Sequence, residues 1–191
     1  MATAHTIEGF LDNRLLIAMP GMQDDNFARS VTLLCQHSAE GALGITINRP
    51  SDCRLGQIFE QLEIPCADSA LCEQPVLDGG PVHRDRGFVL HTPSATFEST
   101  LELRNDLMVT TSADVLAAIA AQQGPDRYLV ALGCAGWTDG QLEDEMRQNA
   151  WLSSSCDPGI IFDAPLDQRW QRAVASLGID TSQLHDVGGH A

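Results

Sequence analysis

Cys134 is the residue best placed in the sequence to act as a nucleophile. It lies in the segment G-C-A-G-W-T-D-G-Q-L-E over residues 133–143, which follows an apolar run and precedes a helical pattern. A cysteine at a strand-to-helix turn could attack a carbonyl carbon if a base removed its proton and a backbone N–H stabilised the oxyanion. His83 and His91 are the candidate bases, and the amide of Trp137 is the candidate oxyanion donor. The alternative is that Cys134 is a buried small hydrophobe.

Two further segments place glycine or proline beside a polar side chain at the end of a strand-like run. They are N-R-P, which contains Arg49, and G-G-P, which contains Gly79 and Gly80. Consecutive N–H groups at the two glycines, with those that open the helix after Trp137, could form a concavity that accepts an anion. Arg49 could add a bidentate donor. The structural alternative is that the glycines allow tight turns and that Trp137 is a core residue.

We predict that these segments converge on one cleft for a small ligand or a protein partner, because such strand ends are typical of clefts. The site residues assigned to this cleft are Asn48, Arg49, Pro50, Gly79, Gly80, Pro81, Gly136, Trp137, Gln141 and Glu143. A surface depression is expected where four of them approach one another: Arg49, Gly80, Trp137 and Gln141. Cys134 should lie partly accessible beneath it, and Gly80→Val should block the cleft while leaving the fold intact.

Four acidic residues near the start of the same helix could bind a hard cation. They are Asp139, Glu143, Asp144 and Glu145, and the first two share a helix face at i and i+4. A solvated acidic first turn, stabilised by the helix dipole, explains them without a metal. We therefore predict no metal site and no cofactor.

Arginine supplies every basic side chain of this 191-residue chain, which contains no lysine. A protein without an ε-ammonium group cannot form a pyridoxal Schiff base, use a P-loop lysine on nucleotide phosphates or act as a lysine-dependent protein kinase. The chain has 11 arginines and 26 acidic residues, so its formal net charge is −15. This charge opposes direct binding to nucleic acid, since sequence-independent affinity comes from cations that neutralise phosphates.

The cysteine spacing and the N-terminal composition bear on the compartment. The six cysteines form no C-x-x-C pair and no spacing typical of structural zinc sites. The start of the chain lacks the basic residues and apolar stretch of a signal peptide, and no segment approaches the length of an apolar membrane span. We therefore expect reduced thiols, a cytoplasmic location and no contact with a membrane.

Short apolar or β-branched runs alternate with helical patterns along the chain, with glycine or proline at most borders. The predicted strands are residues 15–19, 30–36, 42–48, 75–78, 87–91, 107–110 and 128–132, of which the second and third form an antiparallel hairpin. The predicted helices are residues 55–62, 111–123, 138–150 and 166–177, and residues 66–74 are a predicted loop. Thr111 should cap the second helix, and Thr138 with Gln141 the third. Consecutive strands without a repeated βαβ pattern indicate an α+β fold.

Several of these segments together resemble the AlgH/YqgE family of bacterial proteins. The resemblance rests on the segments around Arg49, Gly80 and Cys134, and on A-M-P-G-M, F-A-R-S-V and R-G-F-V-L-H at residues 18–22, 27–31 and 86–91. It implies an α+β fold whose branched, mainly antiparallel sheet curls into a pseudo-barrel with peripheral helices. We take residues 1–191 as one such domain, with mobile ends at residues 1–13 and 180–191.

The function implied by the resemblance is that of a cytosolic regulator of transcription, a label that parts of the family carry. Because the sequence has no catalytic signature, we expect the protein to act indirectly, through a small ligand or a protein partner. Direct DNA binding is the alternative that takes the label literally. Against it, the candidate helices 111–123 and 138–150 are separated by a predicted strand, and the net charge has the wrong sign. The cysteine-dependent enzyme built on Cys134 is the third hypothesis.

Overall fold

The computed structural model describes residues 9–184. Residues 1–8 and 185–191, which belong to the ends predicted to be mobile, lie outside the described part. The strands are β1 (Arg14–Ala18), β2 (Val31–Ser38), β3 (Gly41–Thr46), β4 (Pro50–Arg54), β5 (Pro75–Asp78), β6 (Val82–His91), β7 (Thr100–Glu102), β8 (Met108–Thr110), β9 (Tyr128–Trp137) and β10 (Trp151–Ser155). The α-helices are α1 (Leu55–Gln61), α2 (Ser69–Cys72), α3 (Asp114–Ala120), α4 (Gln141–Arg147), α5 (Arg169–Ala175) and α6 (Thr181–Leu184). A π-helix (Gly159–Asp163) and a 3₁₀-helix (Leu166–Gln168) precede α5. Within residues 9–184, no helix combines the length and the apolar composition needed to cross a bilayer.

The strands form one branched, mainly antiparallel sheet. Its main path runs β10-β1-β2-β3-β9-β6-β8-β7, and each neighbouring pair on this path is antiparallel. The branch is β5, which pairs parallel to β9 and antiparallel to β4. Strands β3 and β5 follow each other along one edge of β9, and β6 occupies the opposite edge. The sheet curls into a half-barrel with helices packed on its faces, which confirms the predicted α+β class.

Alternate residues of the strands pack in different apolar clusters, as the two-residue period of a strand requires. Leu15 and Ile17 of β1 belong to the largest cluster, which α5 covers. Leu16 and Ala18 face the other side, in a cluster with residues of α4 and β10. A third cluster lies between the sheet and helices α1, α2 and α3. The core is therefore built on both faces of the sheet.

The side chains of β9 alternate between the two faces of the sheet, and this alternation shifts by one residue at Gly133, where the backbone φ is +79°. Before this glycine, Ala131 packs in the largest cluster and Val130 packs under the α1 and α3 helices. After it, Cys134 packs in the largest cluster and Ala135 packs on the opposite face. The left-handed conformation of Gly133 accounts for this exchange of faces. The register of β6 against β9 shifts here too, and the extra residues belong to β6, where residues 83–86 lie opposite Gly133 alone. The predicted strand at 128–132 is confirmed, but it continues past Gly133 to Trp137.

The hairpin of β2 and β3 is confirmed, as are the helices predicted at 55–62 and 166–177, which appear as α1 and as the 3₁₀-helix with α5. The predicted loop at 66–74 is wrong. It contains α2, because the Asp68 side chain accepts hydrogen bonds from the N–H groups of Ala70 and Leu71.

Two helix starts differ from the prediction. Helix α3 begins at Asp114, and the Thr111 hydroxyl bonds to Ser99 instead of capping it. Helix α4 begins at Gln141 after Gly140, which is its N-cap, and no side chain of the described residues caps it. The predicted cap by Thr138 is wrong, because the Thr138 N–H and hydroxyl both donate to the Gln141 side chain and the hydroxyl accepts from no N–H of the helix. The helix ends before the polar strand β10. That strand is missed by the sequence pattern because its stability comes from pairing with β1.

Candidate functional site

Residues 79–81 carry the chain from one edge of β9 to the other, from the end of β5 to the start of β6. Gly79 and Gly80 pass over the β9 backbone so closely that a Cβ atom on either would overlap the main chain of Gly133 or Cys134. Gly80 also has a φ of +146°, which favours glycine. The crossing therefore needs both glycines for structural reasons. The expectation that Gly80→Val leaves the fold intact is wrong.

The two glycine N–H groups already have acceptors. Gly79 donates to the carbonyl of Leu132 at 2.9 Å, and Gly80 donates to the Asp78 carboxylate at 3.2 Å. The predicted concavity of anion-binding N–H groups at these glycines is wrong, because the folded chain uses both donors internally.

Cys134 lies inside β9 and not at a strand-to-helix turn. The residue is 1% exposed, because the change of faces at Gly133 turns its side chain toward the core. Burial raises the pKa of its thiol, and the opposing effect of Arg86 is smaller. The prediction of a partly accessible cysteine is therefore wrong, and the thiol lacks the ionised form that a nucleophile needs at neutral pH.

Neither candidate base can serve Cys134. His91 pairs with Tyr128 at the far end of β6, which is about 20 Å from Cys134 at the usual rise of a strand. Its Nδ1 donates to the carbonyl of Thr92, and its Nε2 accepts from the Thr110 hydroxyl, both at 2.8 Å. His83 is exposed, whereas the Cys134 thiol faces the core. The predicted transfer of a proton from Cys134 to either histidine is wrong.

The side chains of Asn48 and Arg49, in the N-R-P segment, bind the loop between β1 and β2 by hydrogen bonds. The Asn48 amide accepts from the first N–H of β2 at 2.8 Å and donates to the carbonyl of Arg29 at 2.9 Å. The Arg49 guanidinium donates to the carbonyls of Asp25 at 2.6 Å and Ala28 at 3.0 Å. Both side chains hold a segment that has no regular structure of its own.

Two predicted site residues, Trp137 and Gln141, belong to a cluster of aromatic and polar side chains around Glu145. The indole N–H groups of Trp137 and Trp151 both donate to Oε2 of Glu145, at 3.0 Å and 2.8 Å. The Gln141 amide donates to Oε1 at 2.9 Å, and Phe27 stacks on Trp137 with ring centroids 6.1 Å apart. The Glu145 carboxylate is therefore the polar centre of the cluster and already has three donors.

Of the other three acidic residues near the start of α4, Glu143 and Asp144 also have separate partners. Glu143 bonds to Nε2 of the buried His37 at 2.8 Å, and the other ring nitrogen accepts from the N–H of Leu11 at 2.8 Å. Asp144 pairs with Arg147. Over the part of the chain that the structure describes, no three His, Cys, Asp or Glu side chains are grouped as metal ligands.

The three predicted segments meet through hydrogen bonds of their backbones. The N–H of Asp78 donates to the carbonyl of Arg49 at 2.8 Å, and the N–H of Thr46 donates to the carbonyl of Gly79 at 2.9 Å. The side chains of Arg49, Trp137 and the acidic residues then turn to different partners. Of the remaining predicted site residues, Pro50 opens β4, Pro81 is the last residue of the crossing and Gly136 lies exposed near the end of β9.

A groove that sequence reasoning missed lies between α1 and α3. Its volume is about 320 Å³, and its floor includes Val89 and Val130 from the sheet. Ile58 and Leu116 form apolar walls, and Leu62, at the end of the α1 stripe, is 44% exposed beside it. The polar residues at this groove are Gln57, Gln61, Asp85, Thr110, Thr111 and Ser112. The signal in the sequence is Leu62 itself, an apolar residue of a helical stripe that the fold leaves uncovered.

Fold and site together define a class: an α+β protein with a branched half-barrel sheet, a glycine crossing at the branch and an open apolar groove on one face. The chain belongs to the AlgH-like family, whose model matches residues 15–182. Among its relatives are UPF0301 proteins of Xanthomonas campestris pv. campestris (strain B100), 49% identical, and of Xylella fastidiosa (strain M23), 51% identical. Each of these alignments covers 95% of this chain and 96% of the relative.

Two solved structures have the same fold. The solution structure of the AlgH protein from Pseudomonas aeruginosa matches with a TM-score of 0.78 and 48% identity, over 95% of this chain and 96% of that one. The crystal structure of protein DIP2367 from Corynebacterium diphtheriae matches with a TM-score of 0.73 over 93% of this chain and 92% of that one. At 20% identity, the second match shows the fold alone.

Proposed function

We propose that this AlgH-like chain is a cytoplasmic, non-catalytic binding protein that regulates gene expression indirectly, by docking an apolar segment of a protein partner in the α1–α3 groove. The observation that carries the proposal is the groove, whose apolar floor and polar rim are the usual construction of a binding site. Its uncovered edge at Leu62 suits a partner that brings apolar side chains of its own.

Charge specifies the partner further. Among the described residues that line the groove, the one charged side chain is the Asp85 carboxylate. The whole chain carries a formal charge of −15. Such a surface attracts a basic partner and repels an acidic one. The expected segment therefore combines apolar anchor residues with flanking arginine or lysine.

The surroundings of the cysteines support a binding role over catalysis. Cys35 and Cys134 are buried, and all six cysteines are free thiols, as expected for the reducing cytoplasm. Burial raises the pKa of Cys35 to about 12 and also raises that of Cys134. Neither thiol is suited to attack a substrate at neutral pH.

The experiment introduces a positive charge at the edge of the groove. Leu62→Arg should repel a basic partner and also remove apolar contact area. Leu101→Arg places the same charge on a residue of similar exposure, 39% against 44%, on strand β7, which contributes no residue to the described lining of the groove. Both variants and the native protein are used as bait in the source bacterium, and transcripts are measured in each strain and in a deletion strain.

The proposal expects one basic partner that the native protein and the Leu101 variant recover and the Leu62 variant loses. The transcript profile of the Leu62 strain should then match the deletion strain. Equal recovery by all three proteins, or unchanged transcripts on deletion, would contradict the proposal. A neutral small molecule that co-purifies with the native protein and is displaced by Leu62→Arg would instead assign the groove to a small ligand.

A further inference from the structure

A second cavity, separate from the groove, contains a buried arginine. It has a volume of about 150 Å³ and lies among the starts of α1, β5 and β9 and the 3₁₀-helix. Its walls are mainly apolar and include Leu55, Leu77, Leu129 and Leu166. Arg169 at the start of α5 is the single charged residue among the described residues that line it, and Arg169 is 4% exposed. The two cavities share Val130 alone among these residues.

The bonds of Arg169 account for only part of its donor capacity. Nε donates to the carbonyl of Ala164 at 3.0 Å, and Nη1 donates to the carbonyl of Ile47. Within residues 9–184, Nη2 makes no recorded hydrogen bond, and no carboxylate lies within 4.0 Å of the guanidinium. A guanidinium has five N–H donors, so this one can still bind an acceptor.

A largely buried cation without a carboxylate partner is unfavourable, since it has lost most of its water without gaining an opposite charge. Nη2 is the part of the group that stays accessible, because it is not among the buried side-chain atoms that lack a hydrogen-bond partner. Burial lowers the pKa of Arg169 to about 10, so the group is still charged at neutral pH. The two neutral carbonyls compensate for part of this loss. An anion that enters the cavity would compensate for the rest, in a surrounding where charged hydrogen bonds are strong.

The cavity selects among anions by charge and by shape. A phosphate or sulfate brings two charges, but the described lining offers one cation, Arg169, beside the uncharged polar side chains of Gln74 and Tyr128, in a chain of net charge −15. A carboxylate matches the planar fork of one guanidinium, and an attached hydrocarbon group would cover the leucine walls. The volume corresponds to about five liquid water molecules, which limits the hydrocarbon part to a few carbons.

We propose that the Arg169 cavity is a binding site for a small monocarboxylate with a compact apolar body, held by the Arg169 guanidinium and the surrounding leucine side chains. The site is independent of the α1–α3 groove and gives the protein a second, small-molecule ligand.

The test is a titration of the full-length protein with sodium isovalerate at constant ionic strength, followed by amide NMR chemical shifts. Saturable shifts are expected near Leu77, Leu129 and Arg169, and none of comparable size with neutral isovaleramide or with sodium sulfate. Arg169→Met should weaken isovalerate binding by about tenfold or more, the effect of losing one charged hydrogen bond. Arg172→Met is the matched control, because Arg172 is exposed on the same helix and bonds to Gln168, so its affinity should equal that of the native protein.

A second variant covers the case in which Arg169→Met does not fold. Leu166→Trp fills the cavity from a half-buried position and keeps the guanidinium, so it should abolish binding in a folded protein. The proposal is overturned if isovalerate produces no saturable shifts, if isovaleramide or sulfate binds equally well, or if folded Arg169→Met or Leu166→Trp retains native affinity. Leu62→Arg should leave isovalerate binding unchanged, which separates this result from that of the groove.

Discussion

Replacing Gly80 by alanine tests the close crossing of residues 79–81 over strand β9. A Cβ atom at this position would overlap the main chain of Cys134 and Ala135, and the φ of +146° is itself unfavourable for an L-residue. Neither problem can be relieved by a side-chain rotation, because the atoms involved belong to a central strand with partners on both edges. The perturbation therefore acts on the branch of the sheet.

The expected loss of stability follows from these two effects. The unfavourable backbone conformation costs about 1–3 kcal/mol, and displacing a packed strand costs about 1–3 kcal/mol more. Gly140→Ala isolates the first effect, because Gly140 has a φ of +70° but open space around its Cβ position, and it should cost about 1 kcal/mol. Gly136→Ala has neither problem, since its Cβ would lie 3.7 Å from Val82, and it should change stability by less than about 0.5 kcal/mol.

Urea unfolding measured by tryptophan fluorescence provides the assay. The side chains of Trp137, Trp151 and Trp170 are all at least nine-tenths buried, so their emission reports the loss of the fold. The free energies of unfolding of the native protein and the variants are compared with one common value for the slope of free energy against urea concentration. Gly136→Ala should be the most stable of the three variants, Gly140→Ala should be less stable, and Gly80→Ala should be the least stable.

One result would refute the reasoning. If Gly80→Ala lost no more stability than Gly140→Ala, the two chain segments would not be in contact at the crossing. The glycine at position 80 would then serve only its backbone conformation, and the branch would have room for a side chain.

Three further predictions concern single side chains. Glu145→Ala should lower the free energy of unfolding by about 1–3 kcal/mol in urea melts, because two indole N–H groups lose their acceptor. Glu145→Gln keeps a carbonyl acceptor and should lose less stability, and equal losses in the two variants would contradict this reasoning. Burial lowers the pKa of His91, so the unfolded chain binds a proton more readily, and stability should fall as pH falls through about 6.5, less steeply in His91→Gln; an unchanged slope would refute the assignment. In native protein treated with iodoacetamide, mass spectrometry should find Cys134 as unreactive as Cys35 while the half-buried Cys53 is labelled, and labelling of Cys134 at the rate of Cys53 would show that its thiol is accessible.

The sequence by itself determined the fold class and most of the regular elements. Alternating apolar residues, helical stripes and the glycine and proline borders are local signals, and they located the β2–β3 hairpin, helix α1 and the start of β9 correctly. The ordered motifs also determined the family. These signals suffice because each depends on residues close together along the chain.

Only the tertiary structure decided what the unusual segments do. The burial of Cys134 depends on the left-handed conformation of Gly133, at which β9 exchanges its faces. The role of Gly80 depends on a strand more than 50 positions away in the sequence. The partner of Glu143, which is His37 on β2, likewise comes from a distant element, as do the walls of the α1–α3 groove and the leucines around Arg169. Such contacts are set by pairing and packing between distant segments, for which a single sequence carries no local signal.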